Sequence, residues 1–296
     1  MQCKTIPIFT AKRWCYMSYK FKQLSSDIEF QKYSKELQNF ESQFQYPLGA
    51  DRFKIIHGRQ TNNYFSFFKK LGKVYYFVIE DGTSVVGVGC AVLRLNKTQA
   101  GQQKYWYLCD FKIAPGHRGK GLLKSLVLRY FLRPYFKSNK MIALNMSSPE
   151  KNTLANKVKG LFSWFNVKTQ SYFIAEITHR QLLALNSLAW FTQKFVGVSN
   201  DGDKDIMLSS GALSLVHFVE KDYATINLPH HAQTTIHQLT RAPEKSYMLG
   251  TASKEYIDLL NSYLTLNHVG ELKVTESCLI SHKFNVPALG FSTAEI

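Results

Sequence analysis

Residues 107–126 read YLCDFKIAPGHRGKGLLKSL, and this stretch decides the fold. A strand-like apolar run, Tyr105 to Ile113, meets the breaker pair Ala114-Pro115. A tight turn of Gly, Arg and Lys follows, and an apolar helical stretch begins at Leu122. A strand entering a helix through such a turn presents unpaired backbone N–H groups at the helix N-terminus, where the macrodipole also favours negative charge. Gly119 and Gly121 have no Cβ and let a phosphate approach the main chain, and Arg118 and Lys120 add positive charge. The stretch reads as a cradle for a pyrophosphate.

Two common phosphate motifs fail against it. In a Walker A loop, Gly116-x4-Gly121 would be followed by Lys and Ser/Thr, but Leu122-Leu123 stand there. A dinucleotide fingerprint needs a third glycine after Gly119-x-Gly121, and an acidic residue about 20 positions on; both are missing. Arg118-Gly119-Lys120-Gly121-Leu122-Leu123, behind a strand ending Ile113-Ala114-Pro115, instead resembles motif A of the GNAT superfamily of N-acetyltransferases, Gln/Arg-x-x-Gly-x-Gly/Ala. Leu123 departs from it, standing where the family usually has Gly or Ala.

The resemblance extends on both sides, over roughly residues 50–180. Downstream, 140–147 reads as a strand, and Asn152, Ala155 and Val158 fall on the spacing of the family's motif B helix. Lys159 occupies the position of its frequent general-acid tyrosine, so thiolate protonation would come from elsewhere, with Tyr172 or a water as options. Upstream, 75–95 is a hairpin around Asp81-Gly82, a strong turn signal. The whole chain also resembles a group of little-characterised bacterial GNAT proteins of similar length.

The resemblance implies an α/β fold with a mixed, mostly antiparallel central sheet flanked by helices. It implies an N-acetyltransferase that takes acetyl-CoA as co-substrate and moves the acetyl group to a primary amine by direct attack in a ternary complex. The pantetheine arm would pair with Phe111, Lys112 and Ile113, and Arg118, Gly119, Lys120, Gly121, Leu122 and Leu123 would take the pyrophosphate. The general base would lie on the same strand or its neighbour. Asp110, the one acid between Asp81 and Glu150, and Tyr107 are the candidates. Strict alternation puts Tyr107 on a face with Phe111 and Ile113, and Asp110 on the other with Lys112. A bulge would change that count.

Composition sets outer limits. Apolar residues make up 45% and aromatics 14% of 296, enough for a sizeable core. No run reaches the roughly 18 apolar residues of a membrane span, and the N-terminus lacks a secretory apolar stretch. The five cysteines are odd in number and scattered without a CxxC, which suits a cytoplasmic location and offers neither a disulfide framework nor a metal site. His57 and His117 lie near the chemistry; His230-His231 lacks a third ligand at metal spacing.

Charge is uneven: residues 1–200 carry 30 Lys/Arg against 10 Asp/Glu, and residues 201–296 carry 7 against 11. No RNP-type aromatic motif, helix-turn-helix or zinc-finger spacing accompanies the basic part, so nucleic acid is not an expected partner. The competing readings are a non-catalytic acyl-CoA-binding module and a basic nucleic-acid-binding protein.

Residues 1–180 are therefore expected to form an acetyl-CoA-binding domain with an N-terminal helical extension, and 181–296 a C-terminal α/β domain. Helical spacing covers 24–46, 63–71, 122–136 and 179–195; strands are expected at 74–80, 84–94, 104–113, 141–146 and 168–177, and a hairpin over 212–228. A polar loop at 197–205 would mark a boundary. The strand–helix–strand order over 247–282 repeats that over 141–177, which fits a degenerate second GNAT-like half as well as a plain α/β extension.

Overall fold

The computed structural model describes residues 19–98, 101–130, 138–146, 166–214, 216–228, 231–241, 246–284 and 292–295. Its first half begins with β1 (Lys20–Leu24) and α1 (Asp27–Glu41), followed by β2 (Tyr46–Leu48), β3 (Asp51–His57) and α2 (Ser66–Leu71). Then come β4 (Lys73–Asp81), β5 (Ser84–Thr98), β6 (Gly101–Ile113), α3 (Leu122–Tyr130), β7 (Met141–Asn145) and β8 (Val167–Ile177). The second half holds α4 (His179–Leu185), α5 (Ala189–Lys194), β9 (Phe195–Ser199), β10 (Lys204–Leu208), β11 (Leu213–Ser214), β12 (Val216–Glu220) and α6 (Lys221–Asn227). It closes with β13 (Ala232–Thr234), α7 (Ile236–Leu239), β14 (Tyr247–Thr251), α8 (Lys254–Leu266) and β15 (Lys273–His282). Among the described residues no helix is long and apolar enough to cross a membrane.

The α/β, mostly antiparallel architecture is as expected. One eleven-stranded sheet runs β1-β4-β5-β6-β7-β15-β8-β14-β12-β9-β13, and a four-stranded sheet runs β11-β10-β3-β2. Among the described residues, only β6 with β7 and β12 with β14 pair in parallel. One face of the large sheet packs on α1, α2 and the small sheet. Tyr33, Leu37 and Phe40, spaced along one side of α1, meet Phe67 and Phe68 of α2, Phe53 and Ile206 of the small sheet, and Tyr105, Tyr107 and Ile142. The opposite face carries α3 in the first half, and α4, α5 and α8 in the second.

The two halves repeat. β7 starts at 141 and β14 at 247; β8 starts at 167 and β15 at 273, so both pairs are 106 positions apart. The repeat exchanges strands. β15 of the second half lies between β7 and β8, and β8 of the first lies between β15 and β14. The strand–helix–strand order expected over 247–282 is present as β14, α8 and β15, and β15 is tied reciprocally into the first half. The seam expected at 180/181 falls inside α4, and the sheet runs past it.

Three local expectations are corrected. The helix over 179–195 is two helices broken at Asn186–Leu188. The polar stretch 197–205 holds the end of β9 and the start of β10, which leaves the large sheet for the small one. In 212–228 the second arm is α6, not a strand. The motif B helix and the last part of the 122–136 helix lie outside the described residues.

Candidate active site

The β4–β5 hairpin turns at Asp81-Gly82, with Gly82 in the left-handed region at φ 62°. It brings β5 alongside β6, and their register holds a feature that alternation missed. Val88 pairs with Lys112 and Cys90 with Cys109, so Gly89 faces both Asp110 and Phe111. This is a β-bulge, and Asp110 takes φ 56° in it. The bulge resets the faces: Tyr105, Tyr107 and Cys109 point to the α1/α2 side, and Phe111 and Ile113 to the α3 side. Tyr107 therefore shares its side with Asp110 and Lys112, which corrects the alternating assignment.

The parallel ladder with β7 ends just before the bulge. The β6–β7 ladder comprises Trp106–Met141, Tyr107–Ile142 and Leu108–Ala143, and β6 runs on to Ile113. Phe111 and Ile113 fit because β5 offers glycines opposite. A Cβ on Gly89 would lie 2.7 Å from both the Phe111 ring and Leu126 Cδ2, and one on Gly87 2.6 Å from Ile113 Cδ1.

The turn after β6 starts with a 3-10 segment, Pro115–His117. Gly119 and Gly121 follow at φ 78° and 73°, and a Cβ on either would meet no atom within 4 Å. Ser125 N donates to Gly121 O at 3.0 Å as the helix begins, so the N–H groups of 122–124 precede the first full turn. Arg118, Gly119, Lys120 and Gly121 are exposed. Arg118 Nε donates to Ile113 O at 3.1 Å, and Lys120 Nζ to Tyr19 Oη at 3.0 Å. Leu122 and Leu123 turn into the α3 core. His117 Nδ1 lies 3.1 Å from Tyr19 Oη and 3.8 Å from Asp81 Oδ2.

Both base candidates are buried. Tyr107 is 1% exposed, and burial, first among several influences, pushes its phenol well above the ordinary value. Asp110, its side chain 3% exposed, accepts from Tyr64 Oη at 2.8 Å, from Tyr76 Oη and from Lys112 Nζ. Lys112 Nζ also donates to Glu41, which accepts in addition from Tyr64 at 3.2 Å and Tyr46 at 3.4 Å. Burial pulls the Lys112 ammonium down, but Asp110 and Glu41 outweigh it and hold it well above the usual lysine value. Burial raises the Glu41 carboxyl, against the opposing pull of Lys112. Reading the sequence did not place Glu41, Tyr64 or Tyr76 at the site; a glutamate at the end of an amphipathic helix and two tyrosines in aromatic runs carry no distinguishing pattern.

The other candidates are dispersed. His57 is buried, 4.8 Å from the Tyr64 ring between centroids. Tyr172 is buried on β8, one strand removed from β7, against Gly250. His231 is buried in the second half. No metal-binding cluster of His, Cys, Asp and Glu occurs among the described residues.

Residues 37–139 match the model of the acetyltransferase (GNAT) family. An uncharacterised protein of Acanthamoeba polyphaga mimivirus is 27% identical over 128 residues, 40% of this chain and 38% of that protein. The chain thus spans under two fifths of the length of the curated relative that it matches, and that relative is viral rather than bacterial. Among solved structures, a tandem GNAT protein from the clavulanic acid biosynthesis pathway is 9% identical at a TM-score of 0.43, covering 91% of this chain and 100% of that one. A Trypanosoma brucei acetyltransferase is 18% identical at a TM-score of 0.33, covering 47% and 90%.

Proposed function

We propose that this chain, which belongs to the GNAT superfamily, is an acyl-CoA-dependent N-acyltransferase that moves an acetyl group from acetyl-CoA to a primary amine. One observation carries the reading: a strand that parts from its parallel neighbour, bulges, and leads through a 3-10 turn to two left-handed glycines with open space where a Cβ would stand. Phe111, Lys112 and Ile113 would meet the pantetheine arm, and residues 118–123, with the leading N–H groups of the helix and the charges of Arg118 and Lys120, would take the pyrophosphate. In the transfer, the neutral amine nitrogen attacks the thioester carbonyl; the C–N bond forms, the C–S bond breaks, and the proton that the nitrogen gives up ends on the departing sulfur, leaving an amide and the CoA thiol. The amine must arrive without its extra proton. Asp110 and Tyr107 are the strand's own candidates to take it.

A non-catalytic acyl-CoA-binding module is the second reading, and the burial of both candidates favours it. A thiol-release assay with acetyl-CoA over a panel of amines, run beside calorimetry with CoA, separates the two. Binding with amine-dependent thiol release supports transfer. Binding alone leaves the module, and neither result sinks both readings. A cytoplasmic location goes with the proposal, resting on the cysteine usage.

A further inference from the structure

Asp110 stands in the left-handed region, which a non-glycine residue occupies when its surroundings over-determine it. Here three segments grip its carboxylate. Tyr64, just before α2, and Tyr76 on β4 donate to Oδ2, and Lys112, two residues along β6, donates to Oδ1. Glu41 at the end of α1 holds the far side of Lys112 and also accepts from Tyr64. Tyr64 and Tyr76 are fully buried, and Glu41 is 2% exposed. Three donors fill three of the roughly four acceptor positions of this carboxylate, and with its side chain 3% exposed a substrate amine reaches the fourth only if the surrounding groups move. What it does without any movement is fix the bulge. The direction of Phe111–Ile113 and the entry to the glycine turn both follow from that bulge.

We infer that Asp110 is a positioning residue: with Glu41, Lys112, Tyr64 and Tyr76 it locks the β6 bulge and so sets the edge and cradle that hold acyl-CoA. The inference rests on the acyl-CoA reading for its functional half and on the geometry alone for its structural half. Its test uses the full chain with Tyr76→Phe, which removes one donor at nearly constant volume, and Asp110→Asn, which tolerates the left-handed backbone. Without ligand, amide hydrogen exchange over 109–113 should quicken at least tenfold in both variants relative to the wild type. With ligand, KM for acetyl-CoA should rise at least fivefold in both, while the pH profile of kcat keeps its acid limb. Unchanged exchange overturns the lock. Loss of the acid limb in Asp110→Asn with KM unchanged overturns it also, and makes Asp110 the base. If the wild type binds no acetyl-CoA, the acyl-CoA reading fails, and the exchange result still decides the lock.

Discussion

Arg118 carries its charge at the mouth of the cradle, exposed and tied to the strand end through Ile113 O. If acyl-CoA binds as proposed, Arg118→Glu would set an anion against its pyrophosphate and should weaken CoA at least tenfold, about 1.4 kcal/mol, by calorimetry. Undiminished affinity in a folded variant would place the ligand elsewhere. Lys204 makes the opposite use of a charge. It is fully buried, donates to Thr293 O at 2.7 Å, and burial pulls its ammonium down to about 7 although Glu295 and Asp205 oppose the shift. A lysine whose folded value is lowered binds its proton more tightly when unfolded, so stability should rise with pH between about 7 and 10. The rise is on the order of 4 kcal/mol for this group. Lys204→Met should flatten that part of the curve in denaturant titrations at stepped pH; an equally steep rise would show the lysine is not its source.

At the scale of elements, the glycines of β5 decide how β6 and α3 close on each other. Gly89→Ala puts a methyl 2.7 Å from the Phe111 ring and Leu126, an overpacking of about 1–3 kcal/mol that thermal unfolding should show. These elements were legible because their signals are local. Asp81-Gly82 marks the hairpin, the apolar stripe marks α1, and Pro115 with two glycines marks the turn. The bulge was not, since a one-residue register shift leaves the apolar pattern intact on either side. Its trace is Asp110 itself: aspartate is depleted in strands and enriched among left-handed residues. The break at Asn186–Leu188 escaped for a similar reason, because the apolar spacing carries through it.

For the molecule as a whole, the second half keeps the parallel pair but not the cradle. Val216, His217 and Phe218 pair with Tyr247, Met248 and Leu249 as Trp106, Tyr107 and Leu108 pair with Met141, Ile142 and Ala143. α6 then begins at Lys221, directly where β12 ends, with no glycine turn between. Calorimetry should therefore give one CoA per chain; two equivalent sites would refute this. The halves are pinned by Arg94 of β5 and Glu295 near the C-terminus, an ion pair with both side chains almost fully buried, to which Tyr223 of α6 adds a bond at 2.9 Å. Glu295→Ala leaves the guanidinium buried and unpaired, which should cost about 3–5 kcal/mol in denaturant unfolding. The repeat itself could be read from the order of elements. The exchange of its strands could not, because local sequence says which residues form a strand and leaves open which distant strand lies beside it.

That exchange has a consequence for how the protein is made. A ribosome that has released residues 1–180 has supplied β7 and β8, but both described neighbours of β8, β15 and β14, lie further along the chain. The nascent first half thus holds an apolar strand with open edges until β15, which ends at His282, has emerged. A chain stopped at Arg180 should accumulate as aggregate. In a crowded polysome, β15 of one chain could equally settle beside β7 of the next. Slow translation through 180–272 would lengthen the interval in which β8 waits without a partner.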